Sequence, residues 1–288
     1  MNWIIGIALL VIVGFILDRE VYFYEGTHLG PRVQAWLYDR WAKKYDAGKH
    51  ESQLRDQEML AQPLLNVLQN VPEPFVLDFA TGTGRLSYAL VNNPEFNGHI
   101  IALDLSQGML EQAASKLGLR AERRDSDLLS QRRSAGLVEL LRYLSLPLPF
   151  PDAAFDVVCA LEVLELFPNM EAPLAEFSRV LRSGGILLTS RGTEESGRKA
   201  RVKSKAEFGL LLTKHDFANF QIAPWWKLFD RVIAVKNGTS HPVGVRTLAN
   251  VLRCSTCGYI QWEKDVNVLK CSNCGKGLSI TKEGIVLN

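Results

Sequence analysis

The stretch VLDFATGTG, residues 76–84, decides how the fold of this chain is interpreted. A short apolar run that begins at Phe75 predicts a β-strand, which carries Asp78 close to its carboxyl end. Gly82 and Gly84 then turn the chain into a predicted helix. Because glycine has no side chain, a ligand can approach the backbone of such a turn closely. The stretch therefore predicts a ligand-binding loop between a strand and a helix.

Predicted strands and helices alternate on the C-terminal side of this turn. Further strands are predicted at 99–103, 156–161 and 186–189, and helices at 86–91, 107–117 and 173–181. Such alternation indicates an α/β fold, in which helices cover both faces of a parallel sheet. Folds of this class bind ligands at the carboxyl ends of their strands. The glycine turn is therefore expected at a ligand-binding edge of the sheet.

Asp104 ends the second predicted strand, 20 residues after Gly84. A carboxylate at this point can accept two hydrogen bonds from a ribose diol. Nicotinamide dinucleotide enzymes also place an acid about 20 residues after their glycine turn. Here, however, Ser87 replaces their third glycine, and Asp78 would repel a pyrophosphate. A carboxylate at Asp78 suits a ligand that carries an ammonium and a sulfonium.

Four segments in order resemble the small-molecule branch of the class I S-adenosylmethionine (SAM)-dependent methyltransferases, which includes the ubiquinone and menaquinone biosynthesis enzymes. They are VLDFATGTG (76–84), ALDLSQGML (102–110), LPLPFPDAAFDVVCALEVLEL (146–166) and EFSRVLRSGGILLTS (176–190). The resemblance covers roughly residues 38–236. It implies a Rossmann-like, doubly wound sheet and a methyltransferase domain, for which we expect the bounds 71–236.

The resemblance implies a role for each residue of the first motif that matches the family pattern. Asp78 would orient the amino group of the SAM methionine, directly or through water. Ala80, Gly82 and Gly84 would let the turn wrap around SAM, with Ala80 in the place of the family's first glycine. The backbone at 159–161 would line the methionine end of the site.

The second motif and the segment after it imply contacts with the adenosine of SAM. Asp104 would hold the ribose hydroxyls, and Leu105 would pack near the adenine. The family's acid on the third strand corresponds to Asp125 or Asp127, and we slightly favour Asp127 as the partner of the adenine amino group. A loop acid without such a role is an equal alternative for both residues.

Tyr38 and Tyr45 lie in a predicted helix before the glycine turn, where the family has residues that cover SAM. Tyrosines at helical spacing are often packing residues, and this alternative stays open. Two features depart from the family pattern. Leu166 stands where relatives often carry His, and residues 130–145, SQRRSAGLVELLRYLS, predict an inserted amphipathic helix that would contribute to a substrate lid.

The sequence does not identify a catalytic acid or base. Glu162, Glu165 and His215 fall near the expected site, but surface positions are the preferred interpretation for all three. Methyl transfer from a sulfonium is an in-line displacement, whose rate depends largely on positioning. A base is needed only where the acceptor must lose a proton. The catalytic residues are therefore left unassigned.

Two similar cysteine motifs stand near the C-terminus, Cys254 and Cys257 in CSTCG, and Cys271 and Cys274 in CSNCG. Four thiolates suit a tetrahedral structural zinc ion. The segment resembles rubredoxin-type zinc ribbons, which implies a hairpin between the two motifs. We expect a zinc ribbon at 251–288 after a linker at 237–250. Two disulfides or a redox pair are the alternatives.

An apolar run without charges, WIIGIALLVIVGFIL, extends from Trp3 to Leu17. As a helix it would be roughly 22 Å long, against a hydrocarbon core of about 30 Å. We expect an uncleaved, single-pass membrane anchor at 1–20 and a helical lid at 21–70. A cleaved signal peptide lacks its positive start and its cleavage site here, and a buried core helix stays an alternative. Basic residues after the run place the catalytic domain in the cytoplasm, namely Arg32, Arg40, Lys43 and Lys44.

The chain has 288 residues and a formal net charge of +2, which gives no strong electrostatic footprint for nucleic acid. A local basic patch consists of Arg198, Lys199, Arg201, Lys203 and Lys205. A solvated loop is its preferred interpretation. The alternatives are contact with anionic lipid headgroups and contact with RNA.

The sequence as a whole predicts a SAM-dependent methyltransferase that acts on a small-molecule or lipid-like acceptor at a membrane. SAM and a structural zinc ion are the expected cofactors. An RNA methyltransferase that uses the zinc ribbon to bind its substrate is one alternative, and nucleic acid is not the favoured partner. A membrane-tethered adaptor that keeps the fold without catalysis is another.

Overall fold

The computed structural model describes residues 2–119, 137–196 and 202–288. The helices are α1 (Asn2–Asp18), α2 (Pro31–Gln53), α3 (Gln62–Val67), α4 (Arg85–Val91), α5 (Gln107–Lys116), α6 (Glu171–Val180) and α7 (Lys205–Lys214). The strands are β1 (Phe75–Phe79), β2 (His99–Asp104), β3 (Val138–Arg142), β4 (Phe155–Ala160), β5 (Leu181–Gly192), β6 (Phe217–Trp226), β7 (Phe229–Lys236), β8 (Trp262–Asp265), β9 (Val268–Cys271), β10 (Gly277–Ile280) and β11 (Ile285–Leu287). The predictions for Asp125, Asp127, Arg198, Lys199 and Arg201 fall outside the described residues.

The described strands form one sheet in the order β6-β7-β5-β4-β1-β2-β3-β11-β10-β9-β8. Its centre, from β5 to β11, is parallel. Both ends continue with antiparallel strands, β7 and β6 on one side and β10, β9 and β8 on the other. The predicted Rossmann-like α/β fold is confirmed.

The central strand β1 is buried on both faces of the sheet. Phe75 and Leu77 pack into the core on one face, and Val76 packs into the core on the other. All three side chains are 0% exposed. A strand in this position needs mostly apolar residues, because helices cover both faces of a parallel sheet. The apolar residues at 75–77 and 79 therefore predicted the strand correctly, with Asp78 as its one acid.

The third parallel strand, β3, corrects one prediction. The sequence predicts an amphipathic helix over 130–145, but Val138–Arg142 is a strand that pairs with β2, with Val138 opposite Ile100. Val138, Leu140 and Leu141 are at most 4% exposed. The free side of β2 buries these apolar residues more completely than a surface helix would, since a helix leaves one face in water.

The cysteine-containing segment continues the main sheet. Its last strand, β11, runs parallel to β3, with Leu287 opposite Arg142. The segment before it, predicted as a linker at 237–250, also contacts the sheet, because the backbone N–H of Leu248 donates to a carboxylate oxygen of Glu139 at 2.6 Å. Leu248 is 1% exposed. The metal-ligand candidates therefore lie on a module that shares a sheet and a core with the rest of the protein.

At the N-terminus, α1 corresponds to the predicted apolar helix, and its described side chains are exposed on every side, as Trp3 and Leu10 show at 70% and 73%. Among the described residues, we find no helix that is both long enough and apolar enough to cross a membrane. The following helix, α2, packs against α5. Asp39 makes this contact by accepting hydrogen bonds from the Ser106 hydroxyl at 2.6 Å and from the Gly108 N–H at 2.8 Å.

Candidate functional site

The turn after β1 carries three residues in left-handed backbone conformations. Ala80, Gly82 and Gly84 have φ angles of 53°, 56° and 74°. A Cβ on Gly82 would meet no atom within 4 Å, whereas a Cβ on Gly84 would lie 3.0 Å from the Cβ of Ala113 in α5. Gly82 therefore keeps the backbone open to the cavity, and Gly84 allows close packing on α5. Ala80 holds a conformation that is strained for a residue with a side chain.

Asp78 is buried directly behind this turn, at 4% exposure. One carboxylate oxygen accepts hydrogen bonds from the hydroxyls of Thr81 and Ser87, both at 2.6 Å. Burial raises the pKa of Asp78, although the hydroxyls oppose this effect. Ser87, which the sequence analysis treated as a missing glycine, thus helps to hold the acid that shapes the turn.

Asp104 connects the two halves of the site, because it binds both the glycine turn and the start of α5. Its Oδ2 accepts from the backbone N–H of Gly82 at 2.8 Å, and its Oδ1 accepts from that of Ser106 at 2.8 Å. Asp104 is 7% exposed. Burial raises its pKa to about 6, although the backbone donors favour the charged form. Ser106 is also the N-cap of α5.

A cavity of about 370 Å³ opens beside the turn. Most of the predicted cofactor residues line it, namely Tyr45, Ala80, Gly82, Asp104 and Leu105, together with Tyr38. A smaller cavity of about 50 Å³ adjoins it and is lined by Asp78, Tyr45, Ala80 and Gly82. The structure therefore brings these residues to one place, at the carboxyl ends of the parallel strands. Gly84 lines neither cavity and acts through its packing on α5.

Tyr38 and Tyr45 face the larger cavity from α2, with 6.4 Å between their ring centroids. The Tyr38 hydroxyl donates to the carboxylate of Glu25. Burial raises the pKa of both tyrosines, and the negative charges of Asp104 and Glu162 raise it further. Both side chains are therefore neutral hydrogen-bond donors at neutral pH rather than bases.

A buried ionic cluster that the sequence analysis missed joins α2 to the glycine turn. Arg85, the first residue of α4, binds both oxygens of Asp56 at 2.6 Å and an oxygen of Glu162 at 2.9 Å. Lys49 binds the other oxygen of Glu162. Arg85, Lys49 and Glu162 all line the smaller cavity. Nothing in the order of these residues along the chain indicates that they meet.

The three candidate bases occupy different environments. Glu162 lines both cavities and is ion-paired. Glu165 is 2% exposed, accepts a hydrogen bond from the Gly192 N–H and has a pKa that burial raises to about 7. His215 caps the end of α7, lines neither cavity and has a pKa lowered by burial. The surface interpretation is therefore wrong for Glu162 and Glu165.

The residues after β3 line the larger cavity beside Leu105. They are Tyr143, Leu144 and Ser145, none of which is an acid. The sequence analysis placed the third-strand acid at Asp125 or Asp127, and both lie outside the described residues. Their contact with an adenine stays a prediction.

The four predicted metal ligands come together at the far end of the sheet. The Sγ atoms of Cys254, Cys257, Cys271 and Cys274 all lie within 4.8 Å of one another. Two of these distances are 3.6 Å (Cys254 to Cys274) and 3.7 Å (Cys257 to Cys271). Thiolates placed tetrahedrally about 2.3 Å from a zinc ion are roughly 3.8 Å apart, so the cluster fits such an ion. A disulfide needs about 2.05 Å, which neither pair approaches.

Comparison with known families agrees with this geometry. Residues 77–189 match the family described as "Methyltransferase domain". The demethylmenaquinone methyltransferase of Lactobacillus johnsonii is 30% identical over 160 residues, which are 54% of this chain and 61% of that protein. The ubiquinone/menaquinone biosynthesis C-methyltransferase UbiE of Rhizobium leguminosarum is 28% identical over 160 residues, or 55% and 57% of the two chains. The chain thus spans about three fifths of the length of these relatives.

Solved structures share the fold. A SAM-dependent methyltransferase from Aquifex aeolicus superposes with a TM-score of 0.50 at 22% identity, covering 69% of this chain and 98% of that one. A structure from Methanococcus maripaludis gives a TM-score of 0.52 at 16% identity, covering 70% and 94%. At these identities the similarity concerns the fold alone.

Proposed function

We propose that this protein transfers the methyl group of SAM to a small-molecule or lipid-like acceptor at a membrane, because its residues 77–189 match the methyltransferase domain family. The observation that carries the proposal is the position of Asp104. Its buried carboxylate faces a cavity of about 370 Å³ beside an open glycine turn. A protein without a nucleoside ligand has no need of this arrangement.

The hydrogen bonds of Asp104 leave room for a ribose. An ionised carboxylate offers about four lone-pair sites on its two oxygens. The N–H groups of Gly82 and Ser106 occupy one site on each oxygen, and the backbone N–H of Leu105 also stabilises the ionised carboxylate. The carboxylate keeps acceptor capacity toward the cavity, which suits the hydroxyls of a ribose. Leu105 lines the same cavity and would pack near the adenine.

The smaller cavity suits the methionine end of SAM. The carboxylate of Asp78 lines it and would attract the ammonium group, while Arg85 and Lys49 would attract the carboxylate. In the reaction, a nucleophilic atom of the acceptor attacks the methyl carbon and the carbon–sulfur bond breaks, with its electron pair moving to sulfur. The protein contributes mainly by holding the two reactants in line.

The acceptor end of the larger cavity is apolar. Its lining includes Phe79, Leu146, Val163, Leu166 and Phe167. An uncharged, partly aromatic or lipid-like acceptor fits such a surface, since an ionic one would lose its hydration without a partner. The names of the demethylmenaquinone and ubiquinone/menaquinone relatives agree with an acceptor of this kind. We find no observation that favours RNA as the acceptor or a purely adaptor role.

The proposal also includes a membrane attachment through α1 and a structural zinc ion. The exposed apolar side chains of α1 would enter a membrane at its cytoplasmic face, because basic residues follow the helix. The cluster of Cys254, Cys257, Cys271 and Cys274 would hold a structural zinc ion, since thiolates fill all four positions.

Removal of the Asp104 carboxylate tests the cofactor site. In Asp104→Ala, we expect SAM to bind about 10- to 100-fold more weakly, because two hydrogen bonds to a charged group are worth about 1–3 kcal/mol. Isothermal titration calorimetry measures this affinity. Asp152→Ala removes an exposed acid with a single ion-pair partner, Arg179, and should bind SAM normally. A folded Asp104→Ala protein with unchanged affinity would refute the role of Asp104.

The affinity for SAM should also depend on pH. Burial raises the pKa of Asp104 to about 6 in the free protein, and the ionised carboxylate accepts hydrogen bonds from ribose hydroxyls more strongly than the protonated carboxyl does. Affinity should therefore be constant well above pH 6 and fall below it, by up to about tenfold per pH unit. SAM binding near pH 6 should release a proton, which calorimetry in two buffers detects. An affinity that stays flat between pH 5 and 8, or an equal pH dependence in Asp104→Asn, would contradict this assignment.

A further inference from the structure

The outward face of α2 carries a basic and apolar surface that the cofactor site does not use. On a helical wheel, Arg32, Val33, Trp36, Arg40, Lys43 and Lys44 fall within an arc of about 120°. All six are exposed. We call these six residues the α2 face. Ala35 and Ala42, which are buried, lie outside this arc on the other side of the helix and pack into the protein.

The charge on the α2 face is of one sign. The three acids of α2 lie within or near this arc on the wheel, but each is engaged elsewhere. Asp46 lies 2.7 Å from the ammonium of Lys116. Asp39 accepts hydrogen bonds from Ser106 and Gly108 in the contact with α5. Glu51, three turns beyond Arg40, lies 3.9 Å from the ammonium of Lys227. The four cations of the face therefore have no acidic partner within it.

Apolar side chains lie among these cations. Trp36 is 55% exposed and Val33 is 38% exposed. The guanidinium of Arg40 lies 5.0 Å from the centroid of the Trp36 ring. Leu29, just before α2, is 46% exposed. A tryptophan next to arginine and lysine is the combination that binds at a membrane interface, where the ring enters the headgroup layer and the cations meet phosphate.

The α2 face is also continuous with the exposed apolar helix α1, which precedes it by a short connection at 19–30. A membrane that receives α1 must therefore come close to α2. We propose that the α2 face docks on the surface of an anionic bilayer. Its partner is the negatively charged headgroup layer of the bilayer. The four cations of the α2 face make the attachment selective for such membranes, which α1 cannot do because it contains no Lys or Arg.

This docking would orient the cavity. Thr27, Pro31 and Gln34, from the same connection and the first turns of α2, form one wall of the larger cavity. On the helical wheel, the cavity-lining residues of α2 lie on the side away from the α2 face, so docking would hold the cavity behind α2, about one helix diameter from the bilayer surface. The docking itself does not rest on the proposed methyl transfer.

Vesicle flotation with the full chain tests the docking. The vesicles contain either zwitterionic phosphatidylcholine alone or phosphatidylcholine with one third phosphatidylserine. Each basic residue at an anionic surface strengthens binding about fivefold. The wild-type protein should therefore prefer the anionic vesicles, and Arg32→Glu/Arg40→Glu should lower this preference at least about 25-fold while binding to the zwitterionic vesicles stays unchanged.

Matched controls separate the contribution of the α2 face to vesicle binding from the contribution of the net charge of the protein. Lys264→Glu/Lys282→Glu makes the same number of charge reversals among exposed residues of the C-terminal module and should keep the preference. Lys43→Glu/Lys44→Glu, on the α2 face, should lose it and replaces the first variant if that one fails to fold. SAM affinity is measured on every variant as a check of the cofactor site.

The outcomes are distinct. A preference that disappears in both α2 variants and persists in the control supports the docking. A wild-type protein without preference, or α2 variants that keep it, overturns the docking and leaves attachment through α1 in place. Absence of binding to either kind of vesicle overturns both attachments, while the SAM affinity of the same samples still tests the proposed methyl transfer separately.

Discussion

Replacing Cys271 with serine is expected to abolish zinc binding and to lower the free energy of unfolding by roughly 4 kcal/mol or more, because loss of a structural metal is among the most destabilising single changes. Cys271 is 1% exposed, lies opposite Trp262 of β8, and donates its backbone N–H to the carbonyl of Lys276 at 2.8 Å. Its loss leaves three thiolates, which do not complete a tetrahedral structural site. Metal analysis and urea denaturation measure the two effects.

Cys271→Ser should also weaken SAM binding at the proposed cofactor site. β11 of the cysteine module pairs with β3, and the residues directly after β3 line the larger cavity. When the module loosens, the edge of β3 loses a strand partner, so SAM should bind more weakly in Cys271→Ser. Cys159→Ala is the matched control, since Cys159 is a free, buried cysteine outside the cluster. It should retain zinc. A purified wild-type protein without zinc would contradict the assignment of the cluster.

The central part of the fold could be predicted from local sequence. β1, β2, β4 and β5 are apolar runs that both faces of the sheet bury, so each run identifies its strand without knowledge of its neighbours. The positions of Gly82 and Asp104 beside one cavity could be predicted for the same reason. Each stands at the end of such a strand, and the carboxyl ends of parallel strands meet at one edge.

The prediction failed where the structure depends on contacts between distant segments. β3 contains Glu139 and Arg142 among its apolar residues, so its pattern also fits an amphipathic helix, and only the free side of β2 decides in favour of a strand. β11 has three residues, which is too short for a periodic signal. Its pairing with β3, which joins the cysteine module to the sheet, could not be foreseen.

The ionic cluster around Arg85 could not be predicted either, because it also depends on contacts between distant segments. Asp56 precedes Arg85 by 29 residues, and Glu162 follows it by 77. Charged residues in such positions are usually solvated, and the chain carries no local sign that these three are buried together. They become buried because α2 and its continuation lie across the glycine turn, which only the assembled fold shows.

Arg85→Met is accordingly expected to lower the free energy of unfolding by about 3–5 kcal/mol, the usual effect of removing one partner from a buried ion pair. The Arg85 and Asp56 side chains are only 12% and 7% exposed, so the carboxylate of Asp56 would stay buried without its cation, while Glu162 would keep only Lys49. Urea denaturation measures the loss. In Asp56→Asn/Arg85→Met, part of the stability should return, because a neutral amide replaces the uncompensated charge.

Arg55→Met provides the comparison that isolates burial. Arg55 binds both oxygens of Glu58 at 3.2 and 3.0 Å, a geometry close to that of Arg85 and Asp56, but its side chain is 56% exposed. Water screens this pair, so its removal should change stability little. Equal effects of Arg55→Met and Arg85→Met would show that the Arg85 cluster is solvated in solution. A much larger effect of Arg85→Met would show that the low-dielectric surroundings of the glycine turn make Arg85 indispensable, and the same surroundings would strengthen its attraction for the carboxylate of SAM.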